Sequence, residues 1–267
     1  MLNEHCGRKY FAQVYSQFDH FIDFIESDPE WAQTLYKIDC AYAKSHENSL
    51  YGLPPIGYVD DTKSGKSKKK YFHFSDEYFD YIEKNCPELI SESEELGQLF
   101  QSLKDISKIS KMLFEEAIQS IGQSVDLSKA MYTDDGKLLT LIKVVRYDPS
   151  ELAASNAHFD FSGLSFLFDN SESDDCESLL ISPYKNPIAV EDFHVPFRQY
   201  KKDDSKSSLL LIPGLALQHC DVPIHPTPHA VKQQNKTRYA IIVFAMAPNI
   251  KLSYDEIKLR QIKLPSL

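Results

Sequence analysis

The sequence predicts an α+β fold with a mainly β core: a double-stranded β-helix (jelly roll) buttressed by N-terminal helices. Two observations predict it. Apolar residues in the first half recur every three or four positions, the spacing of one helix face. After Leu127 the spacing changes to short runs rich in β-branched residues, bounded by proline and polar clusters. Helices first and strands second place a helical layer against an antiparallel sandwich. The change divides the chain into a helical N-terminal region, 1–127, and a β core, 128–267, packed as one compact unit.

Taken in order, Phe11, Val14, Tyr15, Phe18, Phe21, Ile22 and Ile25 form one helical stripe. Asp28 before Pro29 is an N-cap followed by proline at the first helical position, where its missing N–H has no bond to lose. The helix it opens carries Trp31, Leu35, Ile38 and Tyr42 and fades near His46. Residues 51–75 read as irregular, with Pro54-Pro55 and the basic run 62–70. That run is expected to be a solvated loop, because Gly65-Lys66-Ser67-Lys68-Lys69-Lys70 lacks the upstream glycine and following apolar helix of a phosphate-binding loop. Ser91-Glu92-Ser93-Glu94 has the capping-box form. It opens the longest helix, with Leu96, Leu99, Phe100, Leu103, Ile106, Leu113, Ala117 and Ile121 on the apolar face and an end near Gly122. Strands are expected over 139–147, 157–168, 208–213 and 239–246, with Asp148-Pro149 and Pro248 as stops. The acidic segment 169–178 and the Lys-, Asp- and Ser-rich segment 199–208 read as loops.

Composition narrows the function. Apolar residues make up 42% of the 267, enough for a substantial core. The net charge of −10 argues against a nucleic-acid surface. No run approaches the length of a membrane span, and the N-terminus lacks the apolar segment of a signal peptide. The five cysteines are odd in number and scattered, without a CxxC. A reduced, cytoplasmic protein follows, with neither a disulfide frame nor a thiolate zinc site. Nothing in the pattern calls for an obligate protein partner.

One constellation carries chemistry. His158 and Asp160 are two apart, so in a strand they share a face, with Phe159 on the other. A histidine from far along the chain completes a three-point face. His229 opens a Pro-free run 71 positions after His158; His225 sits among three prolines, and His219 is a more distant choice. Two imidazoles and one carboxylate, with the opposite positions open, suit non-haem Fe(II). Arg238, before the strand 239–246, is a fork able to grip a carboxylate, and Tyr147 can add a hydrogen bond if its strand lies alongside. Lys143 or Arg146, facing inward, can hold an anionic substrate; Phe161, Leu164 and Phe166 read as core.

These motifs resemble the 2-oxoglutarate- and Fe(II)-dependent oxygenases, specifically the isopenicillin N synthase-like branch. That branch carries an HxD, a distal HxV, and an RxS nine to ten residues later. The matching segments are His158-Phe159-Asp160, His229-Ala230-Val231 and Arg238-Tyr239-Ala240. Residues 143–149, with Tyr147 near their end, are similar to the strand that precedes the HxD. Leu210 to Gly214 with Leu217 is similar to the strand and turn before the distal histidine, and Gly57-Tyr58 with 70–74 resembles the N-terminal region. The resemblance implies that His158, Asp160 and His229 bind Fe(II), while Arg238 and Tyr147 hold the far carboxylate of 2-oxoglutarate. It implies a dioxygenase that couples decarboxylation of 2-oxoglutarate to oxidation, most often hydroxylation, of a C–H bond in a small or peptide-like substrate. Two features depart from the pattern. Ala240 replaces the usual serine, and the interval between the HxD and the distal histidine is long. The alanine keeps open an Fe(II) oxidase that does not use 2-oxoglutarate. A non-catalytic jelly-roll protein binding a ligand or a metal such as zinc is the remaining alternative.

Overall fold

Helix α1, Arg8–Ser27, buries the predicted stripe from Phe11 to Ile25. Asp28 then accepts hydrogen bonds from the backbone N–H groups of Glu30 (2.9 Å) and Trp31 (3.3 Å), capping α2, Pro29–Ser45. The computed structural model describes residues 8–45, 56–64, 68–121, 127–150, 155–170, 179–182, 198–199, 210–220, 224–231 and 235–252. His46, Pro54-Pro55, Gly122 and most of the two polar segments, 171–178 and 200–208, lie outside the described residues.

The stretch expected to be irregular contains two strands. β1, Gly57–Asp60, and β2, Lys69–Phe74, pair antiparallel, with a 3-10 turn at Asp61–Ser64 between them. The signal was hidden because β2 is buried on both faces from Tyr71 to Phe74, so apolar and polar residues do not alternate. Its leading lysines are tied down: Lys70 pairs with Glu26 at 2.6 Å and Lys69 with Asp61 at 3.5 Å.

Two short helices, α3 (Asp76–Asn85) and α4 (Pro87–Ser91), follow where none was expected. Ser75 caps α3 by accepting from the Tyr78 N–H at 3.1 Å. The long helix α5, Glu94–Ile121, is capped by Ser93, which accepts from the Leu96 N–H at 3.2 Å. Ser91, the expected cap, belongs to α4 and donates to the Pro87 and Glu88 carbonyls, because Pro87 starts a separate turn. Beyond Ile106 the buried face of α5 passes through Ser110, Phe114 and Ile118, one position later than Leu113 and Ala117. A further short helix, α6, spans Ser128–Met131.

The remaining strands are β3 (Thr140–Tyr147), β4 (Ser155–His158), β5 (Leu164–Asn170), β6 (Leu179–Ile181), β7 (Arg198–Gln199), β8 (Leu210–Pro213), β9 (His229–Val231) and β10 (Arg238–Ala245). They form a six-stranded sheet, β1-β2-β3-β10-β5-β8, and a four-stranded sheet, β4-β9-β6-β7, antiparallel throughout. The single strand expected over 157–168 is therefore two strands in different sheets. The break is built by close backbone approach. The Gly163 N–H donates to Ala245 and the Gly214 N–H donates to Gly163, at 3.0 and 2.9 Å. A Cβ on Gly214 would lie 2.0 Å from the Ser162 carbonyl oxygen, so only glycine fits there.

Alternation along β3 and β10 sorts the large sheet into two faces. Ile142, Val144, Ile241 and Val243 join the core beneath the helices, where Phe166 packs on Phe114 with ring centroids 4.4 Å apart. Val145, Tyr147 and Ala240 face the other way and cluster with Leu179 and Val231 of the small sheet. Burying each large apolar side chain contributes about 1.5–3 kcal/mol, so the helical layer fixes the large sheet as a platform for the second face. No helix among the described residues is long and apolar enough to cross a membrane.

Candidate functional site

β9 lies between β4 and β6, and its register sets His229 directly opposite His158, with ring centroids 4.4 Å apart. Such cross-strand neighbours are the closest side-chain pairs a sheet provides. Asp160 lies beyond the end of β4, in the turn toward β5, so strand alternation alone does not place it. Its carbonyl accepts from the Leu215 N–H at 2.8 Å, which fixes the turn. One carboxylate oxygen of Asp160 then lies 3.8 Å from Nε2 of His158 and 3.7 Å from Nε2 of His229.

Those separations are too long for hydrogen bonds. They suit three ligands of one ion: bonds of about 2.1 Å place neighbouring ligand atoms about 3.0 Å apart at right angles. The three ligand atoms all lie within 4.8 Å of one another, so a contraction of at most about 1.8 Å between any two closes the set. The chemistry of the donor set fits as well. The Nδ1 of His229 lies 3.2 Å from the Thr227 carbonyl oxygen, which can only accept, so Nδ1 carries the proton and Nε2 presents its lone pair. Burial pushes the Asp160 carboxyl up, while attraction to the neighbouring His229 and His158 rings, a Ser165 hydrogen bond and Lys143 together draw it below its ordinary value. Neither His225 nor His219 enters the cluster; both are exposed.

Arg238 and Tyr147 are register partners across β10 and β3. Both are buried, and the guanidinium carbon lies 5.3 Å from the centre of the Tyr147 ring. Burial pushes the Tyr147 phenol up, with the Arg238 charge opposing it, so the hydroxyl remains a proton donor. The pair lines one cleft, open to solvent, with His158, Asp160 and His229, walled by Leu179, Val231 and Ile242. Lys143 lines it too. Arg146 does not: it points to the helical side and pairs with Asp148 at 2.8 Å and Asp19 at 3.1 Å. Leu164 and Phe166 are core. The apolar walls and Tyr71, whose ring holds Lys143, escaped the sequence reading, because isolated Leu, Val and Tyr residues carry no signal that separates a cleft from a core.

The sequence matches no protein-family profile and no curated protein. Solved structures do match. A full-length protein of Neurospora crassa, in complex with alpha-KG and 5-formyluracil, aligns at a TM-score of 0.52 and 13% identity, over 86% of this chain and 77% of that one. The dioxygenase for auxin oxidation of rice aligns at 0.52 and 12% identity, over 91% and 73%. The chain has the fold of the 2-oxoglutarate/Fe(II)-dependent oxygenases. At such identities the likeness speaks for the fold, and the activity has to be argued from the cleft.

Proposed function

We propose that this chain is a non-haem Fe(II)- and 2-oxoglutarate-dependent dioxygenase, of the isopenicillin N synthase-like branch, that hydroxylates a C–H bond of a small or peptide-like molecule. The observation that carries the reading is the buried Arg238–Tyr147 pair lining the same cleft as the His158, Asp160 and His229 cluster. A cation placed in a mostly apolar cleft favours an anionic ligand there.

His158, Asp160 and His229 would hold the iron, their two imidazoles and one carboxylate forming a donor set suited to Fe(II). The iron, when bound, supplies the activation of dioxygen that couples decarboxylation of 2-oxoglutarate, to succinate and carbon dioxide, with oxidation of the substrate. Arg238 grips the far carboxylate of 2-oxoglutarate through its fork, and the Tyr147 hydroxyl donates to the same group. Because the two face each other across adjacent strands, the co-substrate is oriented by the sheet itself. Leu179, Val231 and Ile242 keep water from the reacting end. The two facing sheets are read as a jelly roll, in which 128–267 carries the chemistry and 1–127 braces it while lending β1 and β2 to the large sheet.

A second reading has one observation in its favour. Ala240 is buried two residues beyond Arg238 and lines the cleft without a hydroxyl to share the carboxylate, as in an iron oxidase that does without 2-oxoglutarate. Calorimetric titration separates the two. Under the leading reading, 2-oxoglutarate binds the Mn(II)-loaded protein and binds poorly without metal; binding that ignores the metal, or no binding, refutes it.

A further inference from the structure

We propose that Lys143 selects substrates that carry a carboxylate, which makes the cleft a site for small organic acids. The inference rests on the oxygenase reading above and names its substrate class.

The register of β3 and β10 sets two cations on one face, Arg238 at the end of the paired strands and Lys143 near their middle. Arg238 is opposite Tyr147, and Lys143 is opposite Ile242. The pairs are four residues apart, about 13 Å along the strands. His158, Asp160 and His229 line the same cleft as both cations. 2-Oxoglutarate measures only about 5 Å between its terminal carbons, four C–C bonds of about 1.5 Å each. With one end on Arg238 and the other at the cluster, it leaves Lys143 to a different ligand.

The lysine is also placed. Its ammonium lies 4.3 Å from the centre of the Tyr71 ring, and His73 is its register neighbour on β2. An aromatic face under the charge holds the long stem along the cleft wall. Among the described lining residues, Asp160, Arg238 and Lys143 are the charged ones apart from the two histidines. Once Asp160 serves the metal and Arg238 the co-substrate, Lys143 supplies the charge that the substrate meets. In a chain of net charge −10, a cation inside the cleft is what makes entry of an anion favourable. A single ammonium beside a phenol suits a monoanionic carboxylate; phosphate groups are typically met by arginine forks or helix N-termini.

The test uses the full chain loaded with Mn(II) and 2-oxoglutarate in the absence of oxygen. It is titrated calorimetrically with matched acids and amides: benzoate and benzamide, phenylacetate and phenylacetamide, indole-3-acetate and indole-3-acetamide, hexanoate and hexanamide. At least one acid is expected to bind about 10-fold or more tightly than its amide, the scale of a hydrogen bond to a charged group. Lys143→Met removes that preference, Lys143→Arg retains part of it, and the 2-oxoglutarate affinity of Lys143→Met stays within about 3-fold of the wild type. A wild-type protein without any acid-over-amide preference, or a preference that survives in Lys143→Met, overturns the inference while leaving the oxygenase reading standing. A wild-type protein that binds no 2-oxoglutarate overturns both.

Discussion

Replacing Arg238 with glutamine separates co-substrate binding from metal binding. In the wild-type protein the guanidinium is buried and faces Tyr147 across the strands, so a carboxylate placed there accepts two charge-assisted hydrogen bonds in a cleft largely screened from water. Each such bond is worth about 1.5–3 kcal/mol, and a neutral amide restores about 1 kcal/mol. The net loss is therefore about 3 kcal/mol, or roughly 150-fold in the dissociation constant of 2-oxoglutarate. Isothermal titration of the Mn(II)-loaded proteins with 2-oxoglutarate, beside Mn(II) titration of each, gives both affinities. A loss below about 5-fold, or a parallel loss of Mn(II) affinity, refutes the assignment.

Three further perturbations probe other parts of the account. Ala240→Ser adds a hydroxyl two residues from Arg238 on the cleft face, and should tighten 2-oxoglutarate about 3- to 10-fold in the same titration; an unchanged affinity counts against the proposed seat of its carboxylate. Gly214→Ala forces a Cβ against the Ser162 carbonyl and shifts the turn that carries Asp160. It should cost roughly 1–3 kcal/mol in urea denaturation and weaken Mn(II) binding, and wild-type values for both would contradict the role given to that turn. Asp39 is pushed up to about 7, chiefly by burial and against hydrogen bonds from Tyr78 and the Tyr58 N–H. Since the folded chain holds this proton more tightly than the unfolded one (about pH 3.9), the group costs nothing below about pH 4 and progressively destabilises as pH rises to about 7. The Tm of Asp39→Asn relative to the wild type should therefore climb between pH 4.5 and 7.5, and a flat or falling difference refutes the assignment.

The helical stripe of α1, the Asp28 cap and strands β3 and β10 were legible because each obeys one local rule over many residues. The clustered trio of His158, Asp160 and His229 was legible as residue types at telling spacings, yet the reason they meet was not. His158 and His229 meet through a strand pairing 71 positions apart, and Asp160 joins them from a turn that breaks the expected strand. That break depends on Gly214 approaching Ser162 and on backbone bonds to Ala245 and Leu215, none of which leaves a local pattern. β2 was missed for the opposite reason: burial on both faces erases alternation, and its two leading lysines made it look like part of a solvated run. Ser91 and Ser93 both offer a capping hydroxyl, and only the placement of Pro87 decides between them. Lys143 and Arg146 are equally basic in the sequence; three positions apart on one strand, they fall on opposite faces, and only the sheet says which face holds the cleft.

The most direct measurement of the central claim is an anaerobic titration with Fe(II) followed by 2-oxoglutarate, reading bound metal and the visible absorption of wild-type protein, Asp160→Ala, His229→Ala and His225→Ala. The account predicts one ion per chain in the wild type and in His225→Ala, with a weak visible charge-transfer band that appears only on adding 2-oxoglutarate, and the loss of both ion and band in the other two variants. Full iron binding by Asp160→Ala or His229→Ala, or its loss in His225→Ala, would contradict it.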